Sequence, residues 1–226
     1  MKTRITLTMA VFIGFILCSA SLAYYPALTV RKCPHCKAYV VQEETVSGNT
    51  IGARIYTDGK REAKMLPDYP WLAKCPFCGG LFWVDEAVKV SFGFEAAKGK
   101  KKVLALSEKE ILKFLDRRAL PQDKEIYLRI RAFWSANDAW RSVPNATPAF
   151  SKKQVKNLKA LSGMLDEAEP GELILKAEIA RELGNFDECL RLLAHPFENN
   201  YEGAVGFIRK LAEDKVQAVK PFEPGK

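Results

Sequence analysis

Two short cysteine knuckles constrain this chain more than any other feature: Cys33-Pro34-His35-Cys36 and Cys75-Pro76-Phe77-Cys78-Gly79-Gly80. Two thiolates separated by a tight turn can point at one ion, and two such turns supply a closed tetrahedral set, the arrangement of a structural zinc site. The spacer from Cys36 to Cys75 holds 38 residues, more than a short finger uses, so hairpins inside it must bring the knuckles together. Cys33, Cys36, Cys75 and Cys78 are therefore the candidate metal ligands for one structural zinc ion. A shell of four sulfurs leaves no open coordination position, which argues against zinc catalysis. It also makes His35 a turn residue rather than a ligand.

The amino terminus bears on compartment. Lys2 and Arg4 precede an apolar run from about Ala10 to Leu17, and small residues end in Ser21-Leu22-Ala23, the pattern of a secretory leader cut before Tyr24. Cys18 follows Leu17 rather than a small residue and does not read as a lipoprotein cysteine. The expectation is a signal peptide over 1–23 and an exported protein, periplasmic or extracellular. The alternative is an uncleaved N-terminal helix, because the stretch with its flanks approaches the roughly 17 residues that span a bilayer; membrane contact is expected only then. Exported thiols seldom stay free, which keeps two other readings open. One is a pair of structural disulfides. The other is a thiol-disulfide oxidoreductase using Cys33 and Cys36, since the first knuckle alone matches disulfide-oxidant proteins of the thioredoxin fold. There the motif opens a helix, whereas Lys37-Ala38-Tyr39-Val40-Val41 reads as strand, and the second knuckle has no place in that reading.

The spacer alternates and turns in the manner of hairpins. Tyr39 to Val46 is partly period two, Ser47-Gly48-Asn49 punctuates it, and Thr50 to Thr57 resumes, with Ile51, Ala53 and Ile55 expected on one face. Asp58-Gly59 is a turn signal, because glycine takes the positive φ of a tight hairpin without steric cost. Met65 to Trp71 carries too many prolines for a central strand and should wrap the sheet. Leu81 to Val84 and Val88 to Phe92 read as further strand.

From Ser107 the apolar period changes from two to about 3.6. Ser107-Glu108-Lys109-Glu110 is a capping box ahead of Ile111, Leu112, Phe114 and Leu115. A second helix is expected from about Gln122 to Arg141, with Ile126, Ile130, Phe133, Trp134, Ala136 and Trp140 on one stripe. Asn137 interrupts that stripe and needs a hydrogen-bond partner if buried. Residues 142–148 form a loop, and Ser151 to Gln154 is another capping box, ahead of Val155, Leu158, Leu161 and Leu165. A last helix is expected from roughly Glu202 to Val219. The fold class is α+β: a β-rich domain over 24–95 followed by a helical domain over 96–226.

The segment from Ala177 to Leu193, centred on Leu183-Gly184-Asn185-Phe186, resembles the middle of a tetratricopeptide repeat. Small Ala177 allows close helix approach, Leu183-Gly184-Asn185 makes the turn, Phe186 packs across it, and Cys189 takes the place of the usual alanine as a buried small hydrophobe. Lys176 departs from a usual leucine, and His195-Pro196 ends the second helix early. With the two knuckles, the Ser47-Gly48-Asn49-Thr50 and Asp58-Gly59-Lys60 turns, and Arg181 to Glu188, the whole chain resembles a poorly characterised group of bacterial proteins that join an N-terminal zinc ribbon to a tetratricopeptide-like helical tail. The resemblance implies architecture more than activity: a zinc-ribbon-like domain and a tetratricopeptide-like one.

No nucleophile, base and orienting acid stand out together, and there is no Gly-rich phosphate loop and no HExxH. His195, beside Pro196, reads as a capping or surface residue. The formal charge of +8 falls to +6 once Lys2 and Arg4 leave with the leader. That permits contact with an anionic surface, but nucleic acid is a weak candidate partner for an exported protein. The densest basic run, Lys98-Gly99-Lys100-Lys101-Lys102, reads as a solvated turn before an anion site. The leading expectation is a non-catalytic exported binding or scaffold protein that meets another protein through its helical domain.

Overall fold

The structure is a computed structural model describing residues 26–222 apart from 66, 118 and 144–146; the expected leader lies outside the described residues. The first knuckle is the loop of a hairpin. Strand β1 (Pro26–Lys32) pairs antiparallel with β2 (Tyr39–Thr45) in unbroken register from Pro26↔Thr45 to Lys32↔Tyr39. The short strands β3 (Arg54–Tyr56) and β4 (Arg61–Glu62) form a second hairpin around Asp58-Gly59, where Gly59 has φ +79°. Ile51 lies outside it, in a turn, so the expected run from Thr50 contributes strand only from Arg54. The second knuckle closes a third hairpin, β5 (Leu72–Lys74) with β6 (Leu81–Trp83), and β7 (Val88–Phe92) returns to the other edge of β1.

A helical turn, α1 (Phe94–Ala97), follows β7. The chain then laces the two knuckle hairpins together. The Val41 N–H donates to the Lys101 carbonyl, the Val103 N–H to Val41, and Lys74 and Leu104 exchange both backbone bonds. The basic run is therefore only partly a free turn, since Lys102 pairs with Glu43 at 2.5 Å.

The helical layer comprises α2 (Glu108–Leu115), α3 (Gln122–Asp138), α4 (Lys152–Met164), α5 (Pro170–Glu182), α6 (Phe186–Leu192) and α7 (Asn199–Glu213). Both capping boxes are present, Ser107 with Glu110 and Ser151 with Gln154, each satisfying amides that a helix start leaves without partners. Glu110 also reaches out of its helix to hold Lys74 of β5 at 2.7 Å. Lys74 first, then the Ser107 backbone, lowers its carboxyl to about 2. Around that tie Leu72 and Trp83 pack on Ile111, Leu128 and Ala132, one continuous apolar seam between hairpin and helices. Trp71 stacks on Tyr127 at 4.7 Å beside it. No helix among the described residues is long and apolar enough to cross a membrane.

The tip of the β3–β4 hairpin enters the helical layer as a buried polar plug. Asp58, 1 % exposed, pairs with Arg141 at 2.5 Å and accepts from the Asn137 side chain at 2.9 Å, and its carbonyl accepts from the Trp134 indole. Asn137 also donates to Glu182, so the interruption of the α3 stripe is answered. Arg181, paired with Glu178 at 2.5 Å, reaches Thr57 Oγ1 and the carbonyls of Val216 and Ala218. α7 ends at Glu213 rather than running to Val219 because its last turn is closed by the Lys215 N–H donating to Ala212 and the Val216 N–H to Leu211. After Lys215, at φ +54°, the chain turns back, its carbonyls satisfied by a guanidinium instead of a helix ladder, and β8 (Pro221–Phe222) pairs with β3.

Candidate metal centre

The two knuckles are the same turn built twice. In the first, the Cys33 N–H donates to Ala38 and the Lys37 N–H to Cys33; in the second, the Cys75 N–H donates to Gly80 and the Gly79 N–H to Cys75. The fifth residue of each loop has the left-handed backbone this turn requires, Lys37 at φ +65° and Gly79 at φ +70°. Glycine meets the demand freely, whereas lysine meets it with strain. The first cysteine of each knuckle is anchored: Cys33 and Cys75 are buried in one cluster with Val40, Ala73, Phe82, Val84 and Ala87. Cys36 and Cys78 are exposed.

All four sulfurs lie within 4.8 Å of one another. They approach crosswise, Cys33 to Cys78 at 3.9 Å and Cys36 to Cys75 at 3.7 Å. Four sulfurs at about 2.3 Å from a central zinc stand about 3.8 Å apart. A disulfide needs about 2.05 Å, and all four cysteines, like Cys189, are free thiols. The four sulfurs thus lie close enough to hold one metal ion, and they unite every residue that the sequence singled out as a ligand.

The second knuckle's glycines have separate jobs. Gly79 supplies the positive φ. Gly80 supplies room, because a Cβ there would sit 2.5 Å from His35 Cδ2 and 2.9 Å from Cγ. His35 lies across the second loop and its Nε2–H donates to the Leu81 carbonyl at 2.8 Å, bolting one knuckle to the other. It is outside the sulfur cluster, as the four-sulfur reading expects, but its role as a bolt is not visible in a sequence, because it depends on a partner 46 positions away. The Gly80 N–H also donates to Cys78 Sγ at 3.4 Å.

At the first knuckle the backbone is a turn leading into strand, not a helix start. The largest influence on Cys36, a hydrogen bond from the Ala38 backbone, pulls its thiol down, but desolvation and the sulfurs of Cys78, Cys75 and Cys33 together raise it to about 11. An exchange nucleophile needs a depressed pKa, usually from a helix N-terminus. Cys36 is followed by Lys37, Ala38 and then strand β2. Cys189 is fully buried and its thiol is pushed up to about 12, first by burial and then by Glu178. It belongs to the α5–α7 core and has no part in the centre. His195 is exposed. No family model matches the chain, and neither the curated proteins nor the solved structures return a match.

Proposed function

We propose that this chain is a non-catalytic, exported scaffold protein in which Cys33, Cys36, Cys75 and Cys78 hold one structural zinc ion as thiolates. The observation that carries the reading is the sulfur geometry, with cross-pairs at 3.7 and 3.9 Å against the tetrahedral edge of about 3.8 Å. The ion fastens together two hairpins whose own core is small, and a domain of that size usually requires such a staple. Two knuckle hairpins converging on one centre support a zinc-ribbon-like domain.

The helical layer is the proposed surface for another protein. Support for its tetratricopeptide-like character is the α5–α6 pair, which turns at Gly184 with φ +81° and buries both Ala177 and Cys189 completely. With the knuckles, that pair favours the group of zinc-ribbon bacterial proteins with helical tails. Export rests on the leader-like pattern over 1–23.

Cobalt substitution tests the centre. The protein loaded with Co(II) should show the strong visible absorption of tetrahedral thiolate coordination, and Cys75→Ser should abolish or shift it. A Cys33/Cys36 exchange centre predicts no such spectrum and disulfide-exchange activity that survives Cys75→Ser. That pair of results would overturn the proposal.

A further inference from the structure

Beside β2, away from the thiolate centre, lies an open groove of about 550 Å³ between the outer part of that strand and the proline-rich segment 67–71. Among the described residues five buried side-chain polar atoms lack a hydrogen-bond partner, and three cluster here: Gln42 Oε1 and Arg31 Nε belong to residues lining the groove, and Thr29 Oγ1 belongs to the ladder partner of Gln42. Gln42 is only 2 % exposed. Buried polar atoms in native proteins almost always find partners, so a wanting acceptor and a wanting donor beside one groove mark a place where a group offering both belongs. A peptide backbone is such a group.

The strand itself presents a matching edge. Val41 directs its N–H and carbonyl outward, to Lys101 and Val103. By the two-residue period of an antiparallel strand, Glu43 and Thr45 face outward as well. Among the described residues neither of their N–H groups meets a backbone acceptor, while the Glu43 carbonyl accepts one bond, from Gln42 Nε2 at 2.8 Å, and the Thr45 hydroxyl donates to the Pro67 carbonyl at 2.9 Å. Across the groove Trp71, 63 % exposed, and Pro70 give an apolar wall. The charge of the lining is acidic on an otherwise basic chain: Glu43, Glu44, Asp68 and Asp85 against Arg31. Glu43, Glu44 and Asp68 are paired with Lys102, Arg31 and Arg131, while Asp85 makes no ion pair among the described residues.

We infer that this groove receives an extended, cationic segment of another protein, which adds along the β2 edge, seats an apolar side chain against Trp71 and places a lysine or arginine at Asp85. Strand addition draws affinity from the main chain and specificity from alternate side chains, so an alternating apolar and basic sequence is the complementary one.

The test uses the metal-loaded chain from Tyr24 onward and two peptides, acetyl-Val-Lys-Val-Lys-Val-Lys-amide and its glutamate counterpart. Titration followed by amide NMR should show saturable shifts at Glu43, Thr45 and the Trp71 indole with the lysine peptide, at a Kd below about 1 mM, and at least about tenfold weaker binding of the glutamate peptide. Asp85→Lys, at an exposed position, should weaken lysine-peptide binding about fivefold or more. Gln42→Met should weaken it similarly; because it also deletes the 2.8 Å bond from Gln42 Nε2 to the Glu43 carbonyl, thermal melting of the free variant checks that the fold is kept. No saturable shift, shifts confined to the helical layer, equal binding of both peptides, or unchanged binding by both variants would overturn the inference.

Discussion

The contact between His35 and Gly80 yields a prediction whose size depends on background. Gly80→Ala would place a methyl group 2.5 Å from His35 Cδ2 and 2.9 Å from Cγ, closer than real side chains approach. The ring is exposed and free to swing away, so the cost is not a crushed core but the loss of the 2.8 Å bond to Leu81 that ties the knuckles. A hydrogen bond of this kind contributes about 1 kcal/mol, and ring displacement should bring the total to about 1–2 kcal/mol. If metal binding and folding of the knuckles are linked, that becomes a loss of about 5- to 30-fold in zinc affinity. His35→Ala alone should cost about 1 kcal/mol. In that background the clash with the ring is absent. Gly80 does not have a positive φ, so alanine brings no backbone strain there, but its Cβ would still lie 3.2 Å from Cys78 Sγ, which offsets the about 0.4–1 kcal/mol gained by restricting the unfolded chain. Gly80→Ala should thus cost clearly more in the natural chain than beside His35→Ala, where only the Cys78 contact remains. Chelator competition for zinc and thermal melting of all four proteins read the cycle. Equal effects of Gly80→Ala in both backgrounds would refute the reasoning.

Two further predictions follow from the same geometry and from the buried plug. Lys37→Gly should raise stability and Gly79→Ala lower it, each by about 1 kcal/mol, because both positions require the left-handed backbone and a Cβ at Gly79 meets nothing else; chemical denaturation of the metal-loaded protein checks both signs. Burial first, then Glu178 and Asp58, raises the Glu182 carboxyl well above its ordinary 4.5. A raised folded pKa contributes stability that is complete below the unfolded value and is lost as pH rises through the folded one. The melting temperature of the natural chain should therefore fall as pH climbs from about 5 toward 8, and Glu182→Gln should flatten that slope; an unchanged slope would show that Glu182 is not the group responsible.

Much of the architecture is legible in local chemistry. The capping boxes at Ser107 and Ser151, the Asp58-Gly59 turn and the strand after each knuckle each depend on residues a few positions apart, and the structure contains all of them. The sulfur cluster was legible too, because ligand spacing within a knuckle is itself local. What escaped the sequence depends on distant partners. β8 is held in place because Arg181 binds the carbonyls of Val216 and Ala218 beyond the end of α7 and because Thr57 pairs with Lys220. The strand run at Thr50 is shortened by the turn that contains Gly52, with φ +69°. Asn137 announced a need for a partner, but only the fold could reveal that Asp58 and Glu182 meet it.

The central claim is that four thiolates hold one structural zinc ion, and the most direct measurement combines metal content with a thiol count. The chain from Tyr24 onward carries Cys33, Cys36, Cys75, Cys78 and Cys189, so elemental analysis of protein purified without added metal should find about one zinc per chain. Denaturation with a chelator should then release all five of those cysteines as free thiols. Protein without metal whose knuckle cysteines are recovered as disulfides, leaving Cys189 as the lone free thiol, would contradict the account.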